Sequence, residues 1–524
     1  MDLNSKNVCI VTLFVSVVLF IFMVGYVWHF TVDDAFISFR YSEHLANGFG
    51  LVWDIGQPPV EGYTNFLWVL IIAFLFLLKL DPVFLTKIIG LLSVLGIIIL
   101  FWLITNDIFK DIKNKSIAFT VSTTFLLINP YTAIHAVSGL ETMLFAFLLL
   151  GVMYSAWKIL ISPNSKFIWF FAFTALLLSL TRPEGMLVSL GLIFSIIIIT
   201  YKKNNNSIKL TSYLPVLILY LIPIVIYNVF RIFYFHGLFP LSFLAKMVHS
   251  NTYPLYFLIA LIYLIPFVII ILISLYLINQ KIDTNKNQLK TNFKYFLLIL
   301  GVTLFFAIIV YVYTPNINFA QRFFYPSFVL IYAAFGIAIN ILFNEIGKNK
   351  TNIKSAKNTR IIFSSVIILT LLVFTNFIGV NELVDQHNYG DSLNNAHIPL
   401  GKTLSSFSED NYTIFCGDAG SIAYYSGWNL LDGLNDKFIA QNGVTTEYLK
   451  EKHPELVIFI SYNQSIDWTN PPIAEEKYVL ENNYTQLSPI KFNDNYYLIP
   501  FLKPNIKDYN LIKISIENVA KEST

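Results

Sequence analysis

Two adjacent carboxylates, Asp33 and Asp34, follow the first long apolar stretch of the sequence. They lie in the segment "TVDDAFISFRYSEHLANGFG", residues 31–50. Thr31 and Asp34 have capping-box spacing, so the segment predicts a helix that begins beside the two acids and ends before Gly48. Acids at a helix N-terminus complement the helix dipole, which is a sufficient structural explanation for them. The same environment keeps a carboxylate ionised, as a base that removes a hydroxyl proton requires.

The composition indicates a polytopic membrane protein. The chain has 524 residues, of which 56% are hydrophobic and 13% charged, and this is far too apolar for a soluble globular protein. The net charge of +3 suggests no nucleic-acid partner. Cys9 and Cys416 lie near opposite ends of the chain and predict no disulfide. The apolar run 8–28 has no small-residue cleavage site, so it is interpreted as an uncleaved first span.

Twelve apolar segments could cross a membrane. They lie at about 8–28, 63–80, 82–105, 117–134, 142–161, 167–182, 185–201, 212–235, 254–279, 295–314, 323–343 and 360–380. The positive-inside rule places the Lys- and Arg-rich loops between them in the cytoplasm. All of these loops fall on that side only if a single complete crossing lies between residues 63 and 105. We therefore predict about eleven transmembrane helices, with 63–80 as a juxtamembrane or re-entrant helix.

The composition divides the chain into two domains, a transmembrane domain at 1–380 and a polar domain at 381–524. In the second domain, the runs "YTIFCGD", "ELVIFISY" and "NYYLIPFL" indicate strands, and helical patterns separate some of them. This predicts a small α/β domain. An odd number of crossings from a cytoplasmic N-terminus places this domain outside the cytoplasm, on the same face as the acid pair. The expected location is the cytoplasmic membrane, as a multi-pass protein.

The segment 33–68, "DDAFISFRYSEHLANGFGLVWDIGQPPVEGYTNFLW", resembles the first external loop of the GT-C membrane glycosyltransferases. The resemblance continues through "SGLET" (138–142), "TRPEG" (181–185), "HGLFPLSFLAK" (236–246), "QRFFYP" (321–326) and "GDAGSIAYYSG…LLDGLND" (417–436). The branch with mycobacterial arabinofuranosyltransferases is the most similar. Dolichyl-phosphate-mannose protein mannosyltransferases and lipid A aminoarabinose transferases are more distant. The resemblance implies a GT-C fold with its active site at the external membrane face.

Enzymes of this family take a sugar from a polyprenyl-phosphate carrier and pass it to an acceptor, usually with inversion. The resemblance places the two family acids at Asp33 and Asp34. We predict Asp33 as the general base and Asp34 as the residue that orients the acceptor or supports Asp33. The acidic position of the second external loop falls on Glu141. The branch more often has Pro-Asn-Thr where this chain has Pro-Leu-Ser, but the following lysine, Lys246, is retained.

Further residues complete the predicted site. The candidates for binding the donor phosphate are Arg40, Arg182, Lys246 and Arg322. The candidates for binding the sugar or the acceptor are Glu61, Tyr63, Asn65, His135, Glu141 and Glu184. Interfacial snorkelling explains lone cations near span ends equally well. No metal-ligand spacing is readable, so we predict a reaction without a cofactor or metal.

Two other classes of function remain open, a polytopic transporter or flippase and a non-catalytic membrane scaffold. Transporters usually carry ionisable residues deep within their spans, whereas here the acids cluster near one face. Within the glycosyltransferase interpretation, the sugar could be arabinofuranose, mannose or another hexose. The acceptor could be a cell-wall polysaccharide, a lipid-linked glycan, lipopolysaccharide or a protein.

The predicted orientation can be tested by cysteine labelling in a variant that lacks Cys9 and Cys416. In intact cells, the cysteine of Ser465→Cys should react with a membrane-impermeant thiol reagent because 381–524 is predicted outside. The cysteine of Lys354→Cys should react only after the cells are opened. Labelling at position 354 but not at 465 in intact cells would contradict the orientation.

Overall fold

The computed structural model describes residues 5–110, 115–162, 164–203, 210–237, 239–242, 255–280, 287–312, 319–345, 353–466 and 473–523. Helices of the membrane part within these ranges are α1 Ser5–Tyr26, α2 Asp33–Ala46, α3 Phe66–Leu77, α4 Pro82–Ile108, α5 Lys115–Ile128, α6 Pro130–Val137, α7 Thr142–Ile161, α8 Ser165–Thr181, α9 Pro183–Lys203, α10 Thr211–Phe235, α11 Leu255–Asn279, α12 Asn287–Ile308, α13 Tyr325–Glu345 and α14 Ile353–Asn395. Their apolar composition is that of a multi-pass integral membrane protein.

Within the described ranges, nine helices are long and apolar enough to span a membrane, or ten if the bent pair α5 and α6 forms one span. The prediction was about eleven, and the difference is α8. This helix is apolar but has 17 residues, about 26 Å of helix, at the lower limit for a crossing. Helix α3 has only 12 residues, which is too short to cross and fits the predicted juxtamembrane helix.

The bend between α5 and α6 has a local cause in the dipeptide Asn129-Pro130. The two helices meet at 64°. The Asn129 side chain caps α6 by accepting a hydrogen bond from the Tyr131 amide at 2.9 Å, and Pro130 takes the first helical position. The Asn129 amide group also donates to the hydroxyls of Tyr263 and Tyr332 at 3.0 and 2.7 Å. The bend is therefore fixed by side-chain hydrogen bonds inside the bundle.

Helix α2 begins at the acid pair as predicted, but the predicted capping box is wrong. The N-cap residue is Val32, which makes no side-chain cap hydrogen bond. The Thr31 hydroxyl is buried without a hydrogen-bond partner among the described residues. Helix α2 ends at Ala46, and Gly48 follows at φ +84°, in the left-handed region that glycine favours. The predicted end of the helix is therefore confirmed.

The part of the chain after α14 folds into the predicted α/β domain. Its strands are β1 Thr413–Cys416, β2 Asn429–Leu431, β3 Leu456–Ser461, β4 Thr485–Gln486, β5 Ile490–Asn493 and β6 Tyr496–Leu502. Its helices are α15 His397–Leu404, α16 Ser421–Ser426, α17 Lys437–Asn442, α18 Thr446–Lys452, α19 Ala474–Glu481 and α20 Tyr509–Glu522. The three strands predicted from sequence correspond to β1, β3 and β6.

The sheet of this domain is mixed. Its order is β2-β1-β3-β6-β4, and β5 pairs with β6. Strands β1, β2 and β3 are parallel, and β6 is antiparallel to β3, β4 and β5. The buried pattern of β1, with Ile414, Phe415 and Cys416 all inside, is typical of a parallel strand covered on both faces. The loop after β1 carries Gly417 to Gly420 towards the membrane part.

Helix α14 connects the two parts without a break. It runs from Ile353 to Asn395, through the boundary predicted between residues 380 and 381. It packs against α6 in the membrane part and against α15 in the C-terminal domain. The connection is therefore a continuous helix that packs against both parts of the molecule.

Helix α2 docks onto the short helix α16. The Asp33 carboxylate accepts hydrogen bonds from the backbone amides of Gly420 and Ser421 at 2.9 and 2.8 Å. Towards the other end of α16, the Arg40 guanidinium donates to the backbone carbonyl of Ala423 and, at 2.8 Å, to that of Trp428, two residues beyond the helix. An acid therefore binds the amide end of α16 and a cation binds its carbonyl end, which is the favourable arrangement for both charges.

Gly420 permits this close approach, and a substitution there tests it. A Cβ atom at Gly420 would lie 2.0 Å from the Asp33 carbonyl oxygen. We expect Gly420→Ala to lower the free energy of unfolding by about 1–3 kcal/mol through overpacking, measured as a lower Tm in detergent. Gly433→Ala is the matched control, because a Cβ there meets no atom within 4 Å. Equal Tm values for the two variants would contradict the proposed docking.

Candidate active site

A cavity of about 440 Å³ lies between the membrane part and the C-terminal domain. Helix α2 contributes Asp33 and Asp34, helix α14 contributes Glu382, and the loop after β1 contributes Asp418. Arg322, in the turn before α13, is the only cationic side chain among its described lining residues. The described lining of the cavity is therefore strongly acidic, and its cation is Arg322.

Asp34 and Arg322 form the polar centre of this cavity. Arg322 Nη1 donates to Asp34 Oδ2 at 3.1 Å. The Asp34 side chain is 35% exposed, whereas that of Arg322 is 9% exposed. Arg322 Nε is buried without a hydrogen-bond partner among the described residues, which is unusual for a charged donor. The guanidinium therefore has an unused donor beside an accessible carboxylate.

A second, smaller recess of about 40 Å³ adjoins the cavity, and Asp34 and Arg322 line both spaces. The recess is also lined by Tyr63, Asn65 and Glu141, three of the residues predicted to bind sugar or acceptor. The Tyr63 hydroxyl is buried and has no hydrogen-bond partner among the described residues. The pair Asp34–Arg322 thus separates two spaces that both contain polar groups.

The environment of Asp33 is different. Its two oxygens accept three hydrogen bonds, from the amides of Gly420 and Ser421 and from the Ser421 hydroxyl at 2.6 Å. Its own amide donates to the Tyr389 hydroxyl at 3.3 Å. Burial raises the pKa of Asp33 above its ordinary value, although His397 and the Ser421 hydrogen bonds act in the opposite direction. Asp33 therefore borders the cavity, but its carboxylate is occupied by the C-terminal domain.

Asp418 supplies a further carboxylate from the C-terminal domain. Its Oδ2 atom lies 2.9 Å from His397 Nε2 and accepts a hydrogen bond from the Tyr496 hydroxyl at 2.5 Å. Burial raises the pKa of Asp418, but the hydrogen bonds from His397 and Tyr496 and the charge of His397 outweigh it, so the net shift is downward. Asp418 therefore stays ionised and adds negative charge to the cavity wall.

The turn that carries Arg322 is held in a strained conformation. Ala320 has φ +45°, which is uncommon for a residue with a side chain and costs about 1–3 kcal/mol. The Ala320 amide donates to Glu382 Oε2 at 3.1 Å, and the Ala320 carbonyl lies 2.9 Å from His135 Nε2. His135 and Glu382 therefore position the turn, and through it the Arg322 guanidinium.

A buried network lies behind the smaller recess. Arg182 donates to Glu184 Oε1 at 2.6 Å, to Glu141 Oε1 at 3.0 Å and to the Tyr311 hydroxyl at 2.9 Å. Glu141 also accepts from the Asn65 amide group at 2.8 Å. The structure thus brings four predicted site residues together. Every guanidinium nitrogen of Arg182 already donates a hydrogen bond within this network. The Arg182 side chain is therefore bound to these residues and does not face a cavity.

Two other predicted ligands have structural partners away from the cavity. Arg40 donates to Asp54 Oδ1 at 2.7 Å and to the Trp53 carbonyl at 2.7 Å, in addition to its bonds with the C-terminal domain. Glu61 forms a buried ion pair with Arg231, with contacts of 2.9 to 3.1 Å. Neither residue lines the cavity or the smaller recess. The predicted phosphate ligand Lys246 lies outside the described residues.

Sequence reasoning missed Glu382, Gln386 and Tyr389, which line the cavity from α14. They lie at i, i+4 and i+7, the spacing of one helical face. The only available signal was an acid just beyond the last apolar segment. The predicted change of domain at residue 381 concealed it, because a helix that continues through the boundary was not expected.

The helix bundle, the acid pair on a juxtamembrane helix and the C-terminal α/β domain define the GT-C fold class. The structure is similar to that of ArnT from Cupriavidus metallidurans bound to undecaprenyl phosphate, with a TM-score of 0.60 and 10% identity. It is also similar to the apo state of the same protein, with a TM-score of 0.58 and 10% identity. Each comparison covers 95% of this chain and 98% of that chain.

These comparisons confirm the predicted fold. A family described as "Domain of unknown function (DUF8728)" matches residues 386–511, most of the C-terminal domain. No curated protein sequence matches the chain. The predicted affinity with the arabinofuranosyltransferase branch stays a prediction.

Proposed function

We propose that this protein is a membrane glycosyltransferase that transfers a sugar from a polyprenyl-phosphate-linked donor to an acceptor, with inversion. The observation that carries the proposal is the accessible Asp34 carboxylate beside Arg322 in a cavity at the junction of the two parts of the molecule. The fold similarity to a protein with bound undecaprenyl phosphate supports the lipid part of the donor. We place the reaction on the external face of the cytoplasmic membrane.

The proposed reaction is a single in-line displacement. The base takes the proton of an acceptor hydroxyl as the hydroxyl oxygen attacks the anomeric carbon of the donor. The bond between that carbon and the phosphate oxygen breaks, and the polyprenyl phosphate leaves with the electron pair as an anion. A carboxylate and a guanidinium are the groups that this chemistry needs, one for the proton and one for the developing phosphate charge.

We assign the base to Asp34, which exchanges the roles predicted from the sequence for Asp33 and Asp34. A base must reach the acceptor hydroxyl. The Asp34 side chain is 35% exposed and borders both spaces of the site, whereas both Asp33 oxygens accept hydrogen bonds from the C-terminal domain. In this proposal Asp33 positions α2 against the C-terminal domain and so determines where Asp34 points.

Arg322 is the proposed ligand of the leaving phosphate. Its Nε atom is a buried donor without a partner among the residues that the structure describes, and an oxygen of a phosphate group would satisfy it in a charge-assisted hydrogen bond. The Phe323 ring lies 4.9 Å from the guanidinium carbon of Arg322 and 5.1 Å from that of Arg182. The ring packs on both cations and limits the movement of Arg322.

The sugar and acceptor sites are proposed on the two sides of the Asp34–Arg322 pair. The smaller recess offers Tyr63, Asn65 and Glu141, whose hydroxyl, amide and carboxylate groups can bind sugar hydroxyls. Arabinofuranose, mannose and other hexoses remain candidates for the sugar. The acceptor remains a glycan, a lipid or a protein. The proposal uses no cofactor, and independence of a metal stays a prediction that activity in excess chelator would test.

The role of Asp34 can be tested with protein reconstituted in liposomes and a panel of polyprenyl-phosphate sugars. The assay measures the release of free polyprenyl phosphate by mass spectrometry, with a membrane extract as the source of acceptor. The rate of release should fall by roughly two to four orders of magnitude in Asp34→Asn because the base is lost. Asp81→Asn is the matched control, since Asp81 is an exposed N-cap residue of α4 and asparagine caps a helix equally well.

The same assay separates the two acids. Asp33→Asn weakens charge-assisted hydrogen bonds to Gly420 and Ser421, so we expect a lower Tm than for the parent protein. Asp34→Asn should keep the parental Tm to within a few degrees. Parental release in Asp34→Asn would remove the base from this proposal. Absence of release from every donor with the parent protein would favour the transporter or scaffold alternatives.

The role of Arg322 can be tested by comparing Met and Lys at this position. Arg322→Met removes the positive charge that would stabilise the leaving phosphate. We therefore expect the activation free energy of transfer to rise by about 2–4 kcal/mol. Arg322→Lys keeps the charge but loses the planar fork, and should recover part of the rate. Binding of undecaprenyl phosphate, measured by native mass spectrometry, should weaken in the same order. Equal rates in all three proteins would indicate that Arg322 only supports the fold.

A further inference from the structure

Two buried hydroxyl groups line the smaller recess beside the Asp34–Arg322 pair. Tyr63 and Ser242 both border this space, and each residue is 3% exposed. Neither hydroxyl has a hydrogen-bond partner among the described residues. An unpaired buried polar group costs free energy, and most such groups in proteins are bonded. Two of them on one recess therefore indicate that a ligand supplies the missing partner.

Contacts outside the recess hold both residues in place. The Tyr63 ring packs edge-on against the Tyr41 ring, with 4.8 Å between the ring centroids. The residue before Ser242 is Leu241, and its amide donates to the Glu61 carbonyl at 2.9 Å. The Glu61 side chain is itself held in the buried ion pair described above. The two hydroxyls therefore belong to a preformed space, which lowers the cost of ordering on binding.

The chemistry of the recess fits a neutral hydroxyl group. The Tyr63 and Ser242 hydroxyls can each donate and accept a hydrogen bond. Burial raises the pKa of Tyr63 well above its usual value, so this residue keeps its proton. The recess is also lined by Asp34 and Glu141, whose carboxylates repel an anion but accept a hydrogen bond from a neutral donor. A hydroxyl group can bond to both kinds of lining residue.

The size of the recess limits what can enter it. Its volume is about 40 Å³, and a space of about 10–15 Å³ on the same measure holds one water molecule. The recess therefore has room for about three groups of that size. A hydroxyl or hydroxymethyl substituent fits, whereas a whole sugar ring does not. The ring must remain on the side of the larger cavity while one substituent enters the recess.

We propose that Tyr63 and Ser242 select the donor sugar by binding one of its hydroxyl or hydroxymethyl substituents in the smaller recess. This inference rests on the proposed function. We assign the recess to the donor because its sugar is bonded to the phosphate that Arg322 is proposed to bind, and Arg322 lines the recess. A sugar without this hydroxyl leaves two buried hydroxyls unpaired, so the site discriminates against it.

The proposal can be tested in liposomes with single-deoxy analogues of the polyprenyl-phosphate sugar that the parent protein uses best. In the parent protein, loss of the one hydroxyl that enters the recess should lower kcat/KM by about 100-fold or more. In Ser242→Ala and Tyr63→Phe, the intact donor loses a hydrogen-bond partner, so the penalty for the same analogue should fall below about tenfold. Ser242→Thr retains a hydroxyl and should retain the preference.

Thermal stability without substrate separates this role from a structural one. Ser242→Ala and Tyr63→Phe should keep or raise the Tm in detergent, because each removes a hydroxyl that is unpaired within the described part of the chain. Ser42→Ala is the matched control. The Ser42 hydroxyl is buried and donates to the Val69 carbonyl at 3.0 Å, so this variant should lower the Tm and leave the sugar preference unchanged.

Several results would overturn the proposal. One is equal kcat/KM for the intact donor and all its single-deoxy analogues in the parent protein. Another is the parental preference in both Ser242→Ala and Tyr63→Phe, and a third is a loss of Tm in both that matches Ser42→Ala. A penalty found only with deoxygenated acceptors would assign the recess to the acceptor instead. Absence of release from every donor would contradict the proposed function as well, whereas the other results contradict this inference alone.

Discussion

The docking of α2 on the C-terminal domain is the interaction on which the site depends. Asp33 and Arg40 are seven positions apart on α2, about 10.5 Å along its axis, and α16 has six residues, about 9 Å. The two charges therefore reach both ends of α16 at once. Asp33 binds amides of the first turn that have no intrahelical acceptor, and Arg40 adds a charged donor where the helix ends. Because Asp33 is fixed in this way, the next residue, Asp34, is directed into the cavity.

Burial makes this docking both necessary and specific. Arg40 is 3% exposed and pairs with Asp54. A buried ion pair contributes little net stability, but the loss of one partner is strongly destabilising, because it leaves an uncompensated charge. Separation of the membrane part from the C-terminal domain would therefore remove hydrogen-bond partners from the Arg40 guanidinium and the Asp33 carboxylate, which is unfavourable for both charges. This constraint explains why the cavity is built from both parts of the chain.

Arg182 and Arg322 differ in how completely their guanidinium groups are bonded. Every guanidinium nitrogen of Arg182 is used within a buried network of acids and Tyr311, so Arg182 organises side chains that were predicted as ligands. Arg322 keeps a buried donor that has no partner in the described part of the chain. Its turn is strained at Ala320 and is held by His135 and Glu382. Strain of this kind persists only where the surroundings impose it, and it is found most often at functional sites.

The sequence by itself determined the positions of the apolar helices, the three main strands and the start of α2, because each depends on local composition or periodicity. It also placed Asp33 and Arg40 on one face of α2, but it could not show that this face binds α16. Only the tertiary structure decided that Asp34 is the more open acid, that Arg40 and Glu61 have structural partners, and that Glu382 joins the site. It also brought Ser242 to the recess that Tyr63 lines. These outcomes depend on which distant backbone groups and charges meet, and periodicity carries no information about such contacts.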